Sequence, residues 1–356
     1  MPWSESDTLR IIAAYFPDAL TNSELSDKLA RITNQFPNVV SSYYIECRLG
    51  ASSTQLDFSA CITAPHGRKV LSDRGYLSSA DDFSIPSAKT WKRIETFCTE
   101  WAHPASPFFT AVPLIWLEFD HAERLSDTAS SPGIVISLGS KLLNDDTLGS
   151  HREEVKHRYA LTRRALAILY EESVLGSTEG VLRGCFDALP EGGQMLYASA
   201  MLSREPAVIK LCGRIMSAQL PEYLKLIGWP GSYQDLGEVV EMLDPTTRFL
   251  RYDLSINSRL EPTLGIELLS DNHDKEHDER ARILRRAVEI GLCTSDQASA
   301  LLAWDGYSRE IYPEQSWPTR LTRTWYMKLV LENSGRLLLK AYLGFTPALF
   351  SPFSFA

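Results

Sequence analysis

Alternating apolar and polar residues recur along the chain in paired runs, and the stretches between pairs place their apolar residues three or four positions apart. Alternation marks a strand with one buried face, and the wider spacing marks an amphipathic helix. The first pair, 41–50 and 54–64, precedes a helical stretch near 87–101. The second, 113–123 and 133–140, precedes helices at 151–172 and 179–189. The third, 194–203 and 207–215, turns at Arg204, Glu205 and Pro206 and leads to helices at 221–228 and 232–243. The fourth, 248–257 and 263–271, is followed by helices at 278–292 and 296–304. The last, 324–333 and 336–345, turns at Ser334 and Gly335. Five hairpins and ten strands are predicted, with loops at 64–87, 121–132 and 270–280.

Residues i and i+2 of a strand share a face, so each hairpin has two readable sides. One side is apolar throughout, as in Ile45, Cys47 and Leu49, or Ile115, Leu117 and Phe119, and helices must cover it. The other side carries Tyr44, Glu46, Arg48, Asp57, Trp116, Glu118, Asp120, Tyr197, Lys210, Cys212, Arg251, Asp253, Glu267, Tyr326, Lys328, Lys340 and Tyr342, too polar for a second core. In a two-layer domain that side would meet water. Five hairpins with the same asymmetry favour instead a ten-stranded antiparallel barrel with helices outside, which removes the sheet edges and turns the polar face onto a ligand-sized lumen. The fold class is therefore α/β in the α+β sense, with residues 1–40 as an N-terminal helical brace and 41–356 as one barrel domain.

This repeated helix, strand, strand, helix pattern, with cations and tyrosines on the inward face, resembles the ABBA or PT-barrel fold of the soluble aromatic prenyltransferases over residues 41–345. The resemblance implies transfer of an allylic group from a diphosphate donor to an aromatic small molecule or a peptide side chain. It implies Arg48, Lys210, Arg251, Lys328 and Lys340 around the diphosphate. Tyr326 and Tyr342, each two residues from a lysine, with Tyr44, Tyr197 and Trp116, would shield the allyl cation or hold the acceptor. Cations stabilise charge developing on the leaving diphosphate, and aromatic faces stabilise a carbocation. The catalytic carboxylates would come from Glu118, Asp120, Glu267 and Glu46. No cofactor is required by this reading, magnesium being optional with the donor.

The sequence departs from the cation-x-Tyr spacing at two strands, where Cys212 follows Lys210 and Asp253 follows Arg251. Inward carboxylates are also numerous, which suits mutual pKa tuning and proton transfer. Two alternatives therefore stand beside prenyl transfer: a cofactor-independent isomerase, epimerase or cyclase that could modify peptides, and a non-catalytic barrel binding a ligand or peptide.

Composition excludes other classes. The 356 residues carry 36 Lys plus Arg against 45 Asp plus Glu, a net charge of −9, which disfavours nucleic acid and anionic membranes. No apolar stretch approaches the roughly 20 residues that span a bilayer. The six cysteines (47, 61, 98, 185, 212 and 293) are scattered, as reduced thiols of a cytoplasmic protein would be. His273, Asp274, Glu276 and His277 read as a solvated loop and helix start, and no DDxxD, P-loop or G-x-S-x-G motif occurs.

Overall fold

A computed structural model describes residues 5–20, 39–50, 56–72, 85–120, 131–139, 150–242, 248–268, 276–311 and 318–349. Eleven strands form one antiparallel sheet: β1 (Ser42–Arg48), β2 (Leu56–Thr63), β3 (Leu114–Phe119), β4 (Gly133–Ser137), β5 (Gln194–Met201), β6 (Val208–Met216), β7 (Phe249–Asn257), β8 (Arg259–Leu268), β9 (Gly306–Glu310), β10 (Thr319–Leu331) and β11 (Leu337–Leu349). Ten of them close a ring. The ring runs from β1 through β8 to β10 and β11, and β11 returns to β1 through pairs from Tyr43 with Phe345 to Arg48 with Lys340. The five predicted hairpins are the five hairpins of this barrel.

Ten α-helices occur among the described residues: α1 (Glu5–Tyr15), α2 (His66–Ser72), α3 (Ile85–Ala102), α4 (Phe108–Ala111), α5 (His151–Leu169), α6 (Glu172–Asp187), α7 (Leu220–Leu226), α8 (Tyr233–Met242), α9 (Glu276–Glu289) and α10 (Ser295–Leu302). They lie against the outer face of the ring, whose apolar positions are almost wholly buried, including Phe58, Ile115, Phe119, Leu211, Tyr252, Met327 and Phe345. Trp101 of α3 fills this layer and donates from its indole nitrogen to the Val112 carbonyl at 2.8 Å. Capping boxes, Ser150 with Glu153 on α5 and Thr294 with Gln297 on α10, satisfy the first amides of their helices. No helix among the described residues is long and apolar enough to cross a membrane.

The expected boundaries shift in four places. The loop expected at 64–87 contains α2, whose seven residues hold too few apolar positions to show a helical period. Strand β8 starts at Arg259 rather than 263, because Ser258 takes φ 56° and lets β7 turn back at once. Strand β10 starts at 319, and its leading end projects past β8 to pair with β9, a strand the alternation did not reveal. In β9 the residues alternate little in burial, so there is no periodic signal to read. Near the N-terminus, α1 brings Phe16 edge-on to Trp304 at 5.8 Å, while residues 21–38 of the expected helical brace lie outside the described residues.

Arg158 ties a helix to the barrel. Its side chain, 1% exposed, bonds Glu154 on its own helix and donates to the carbonyls of Met195 (2.8 Å) and Gly139 (3.0 Å). Arg158→Ala would strand two carbonyls and a carboxylate, and should lower unfolding free energy by about 3 kcal/mol. Urea denaturation checks this; a loss under about 1 kcal/mol would mean that water replaces the guanidinium.

Candidate active site

Closing the ring sends every inward side chain into one lumen, which consists of two joined cavities. The outer, about 1030 Å³, opens at the hairpin end of the strands and is lined by Arg48, Asp57, Asp120, Arg204 and Lys340 among others. The inner, about 300 Å³, is lined by Tyr44, Glu46, Trp116, Tyr197, Cys212, Arg251, Glu267 and Tyr326. Glu118, Lys210, Asp253, Lys328 and Tyr342 border both. All fourteen candidate residues named from the sequence therefore face the lumen.

Its charges are paired across strands. Lys210 on β6 bonds Glu118 on β3 at 3.1 Å. Lys340 on β11 bonds Glu46 on β1. Lys328 on β10 bonds Asp253 on β7 and lies 3.7 Å from Glu267 on β8, which Arg251 also approaches at 3.5 Å. Gly265 makes room for the Lys328 pair: a Cβ there would lie 2.8 Å from the Asp253 carboxylate and 3.2 Å from the lysine stem. Asp120, just past β3, takes two bonds from Arg204 at 2.6 and 2.7 Å. Arg204 sits in the β5–β6 turn, and the sequence reading treated it only as a turn residue. Its place at the hairpin end, where the lumen opens, was the available signal. Arg48 stands beside Lys340 in register, and its Nε has no hydrogen-bond partner among the described residues.

Burial and these pairs set the protonation states. Burial opposes the Glu46 charge, yet Lys340 and a bond from the Tyr342 hydroxyl hold the carboxyl well below the usual carboxylate range. Burial likewise opposes Asp120, and Arg204 brings its pKa down. Glu267 goes the other way: burial, with the Asp253 charge adding to it, raises its pKa despite Lys328 and Arg251. Burial opposes the Lys328 charge, yet Asp253, with Tyr342 and Glu267 beside it, raises its pKa, so it stays charged. Burial raises the Cys212 thiol far above its ordinary value, which leaves it protonated and without nucleophilic character.

Below the cations lies an aromatic cage. Tyr326 and Tyr342 stack in parallel with ring centres 4.6 Å apart, Tyr44 meets Tyr326 edge-on at 5.7 Å, and Trp116 meets Tyr44 at 5.3 Å. The Lys328 ammonium stands 5.2 Å from the centre of the Tyr342 ring. Burial pushes the Tyr197 hydroxyl up to about 12 and raises Tyr326 and Tyr342 further, so all three rings are neutral phenols.

Among the described residues one trio could approach a metal, Cys212 with Asp253 and Glu267, whose ligand atoms lie within 4.8 Å of one another. Both carboxylates are engaged by Lys328 and Arg251, and a protonated thiol is a poor partner for a hard cation. The trio does not fit a resident magnesium ion. His273 and Asp274 lie outside the described residues, and His277 is exposed, with Asp278 at 4.0 Å.

No protein-family model and no curated protein matches the chain. Solved structures do. NotF in complex with brevianamide F and DMSPP aligns with a TM-score of 0.53 at 11% identity, over 96% of this chain and 95% of that one. A 6-dimethylallyl tryptophan synthase gives 0.52 at 14% identity, over 96% and 97%. AnaPT from Neosartorya fischeri gives 0.51 at 12% identity, over 96% and 91%. The fold is thus the ABBA or PT barrel of the aromatic prenyltransferases, as the strand pattern predicted.

The Arg204 pair makes a pH prediction. A folded-state pKa held below the unfolded value contributes stability that is full above the unfolded value, about 3.9 for Asp, and is lost as pH falls through the folded one. Denaturant midpoints of the wild type should therefore fall more steeply below about pH 4 than those of Asp120→Asn. Parallel curves would contradict the pairing.

Proposed function

We propose that this chain is an aromatic prenyltransferase, moving an allylic group from a diphosphate donor to an aromatic acceptor. The observation that carries the reading is a closed barrel whose inner chamber is walled by tyrosines beneath strand-borne cations, with Lys328 standing over the Tyr342 ring and bonding Asp253. The likeness to a barrel solved with brevianamide F and DMSPP supports the kind of ligands.

In this reading the diphosphate lies at the junction of the cavities, against Lys210, Lys328, Lys340 and Arg251, with Arg48 as the cation at the lip. The allylic C–O bond breaks, and its electron pair leaves with the diphosphate, whose growing charge the cations stabilise. The allyl cation stays against the faces of Tyr326, Tyr342 and Tyr44. An acceptor ring carbon attacks it, forming the new C–C bond, and the ring proton passes to a carboxylate. Glu118 suits that role because it borders both chambers on the strand that carries Trp116. Seclusion in the barrel keeps water from quenching the cation.

A second reading has its own observation. The neighbouring carboxylates of buried Glu267 and half-buried Asp253, with Glu267 raised in pKa, have the form of an acid–base site, suited to an isomerase, epimerase or cyclase. Dependence on a diphosphate separates the two.

The test is incubation with 5-, 10- and 15-carbon allylic diphosphates and a panel of indoles, phenols and tryptophan- or tyrosine-containing peptides, read by mass spectrometry. A mass gain equal to one allyl group is expected. Lys328→Met should lower kcat/KM by about 100-fold, and Glu118→Gln should lower kcat by a similar factor with little change in KM. No product, together with no diphosphate binding by calorimetry, would overturn the reading. Product formation from an acceptor alone, abolished by Glu267→Gln, would establish the second.

A further inference from the structure

Gly344 on β11 is the register partner of Tyr44 on β1. Its φ lies outside the left-handed range, so backbone conformation does not demand a glycine; space does. A Cβ at this position would lie 2.7 Å from Cε1 and 2.8 Å from Cζ of Tyr44, and 2.8 Å from Oγ1 of Thr324. The Tyr44 ring therefore lies against the β11 backbone at Gly344 and reaches Thr324 on β10, whose side chain hydrogen-bonds its hydroxyl. Only a residue without a side chain leaves that bed for the ring.

The other side of the ring is chamber wall. Tyr44 lines the inner cavity, with Trp116 at 5.3 Å and Tyr326 at 5.7 Å. An added methyl on β11 would press on this ring from the wall side, and the displacement we infer is toward the lumen. In a chamber of about 300 Å³ such a movement removes room for several carbon atoms.

We propose that Gly344, acting through Tyr44, is the position that sets how long a hydrocarbon chain the inner chamber accepts. The proposal rests on the prenyl-transfer reading and adds a residue-level determinant of donor length to it. Gly344 touches no substrate; it positions a wall.

The experiment measures kcat/KM for the 5- and 10-carbon donors in the wild type, Gly344→Ala, Tyr44→Ala and the double variant. Binding of two unreactive probes, indole and the larger 2-anthracenecarboxylate, is followed by calorimetry alongside. Gly344→Ala should lower the 10-carbon to 5-carbon ratio by about tenfold, and Tyr44→Ala should raise it by a similar factor. In the double variant the methyl has no ring to push, so its ratio should match that of Tyr44→Ala. The probes should follow the same order, Gly344→Ala losing the anthracene far more than the indole. A merely structural glycine would lower both donors and both probes alike and leave the ratios unmoved, which would overturn the proposal. Should Gly344→Ala not fold, Tyr44→Ala decides by the same ratio. If the wild type turns over no donor, prenyl transfer falls, and the probe ratios alone decide whether this pair sets chamber size.

Discussion

The structure depends on balancing charge inside a closed ring. Ten strands with one apolar and one polar face can bury the first beneath helices, but closure then forces the whole second face into a single low-dielectric space. Arg48, Lys210, Arg251, Lys328, Lys340 and Arg204 meet Glu46, Asp57, Glu118, Asp120, Asp253 and Glu267 there, cation for carboxylate. An unpaired charge held in such a place costs several kcal/mol, whereas a paired and hydrogen-bonded one is tolerated. The net charge of −9 over the chain is therefore no guide to the lumen, which is close to neutral.

That balance bears on the chemistry. In the proposed reaction, lysines that hold carboxylates in the free protein exchange those partners for diphosphate oxygens, which makes donor binding a competition among anions rather than occupation of a bare cationic pocket. Cys212 and Asp253 stand at the two positions where cation-x-Tyr spacing would place further tyrosines. Asp253 is the closest partner of Lys328, and its carboxylate fits because Gly265 presents no side chain beside it. The departure from the spacing and the pairing of the central lysine are one feature of the design.

The inward face was legible because period-two alternation needs only local sequence: a single parity choice per strand places Tyr44 with Glu46, or Trp116 with Glu118, on one side. Topology was legible for a related reason, since hairpins join neighbours and five similar hairpins have few ways to hide five polar faces. The partnerships were not legible. Lys340 and Glu46 are 294 residues apart, Lys210 and Glu118 are 92, and Lys328 and Asp253 are 75, and alternation carries no information about which inward residue meets which. Arg204 was hidden for the opposite reason, because turn residues have no parity and its direction depends on where the barrel opens. The short elements α2 and β9 lack a full period of either kind.

On the proposed prenyl-transfer reading, the layering of the lumen lets one cavity serve two opposed needs. Leaving-group departure calls for cations and hydrogen bonds, whereas a carbocation calls for dry, electron-rich surfaces that offer no nucleophile. In this barrel the two requirements are separated along the strand axis by single pleats. Lys328 lies two residues from Tyr326, Lys340 two from Tyr342, and Glu118 two from Trp116, so β3, β10 and β11 each present a charged group toward the mouth and a ring beneath it. The burial that keeps the phenols neutral would also, in the proposed reaction, prevent them from becoming anions that capture the allyl cation. Strand pleat, fixed by backbone geometry, thereby sets the spacing between the place where charge leaves and the place where it is held.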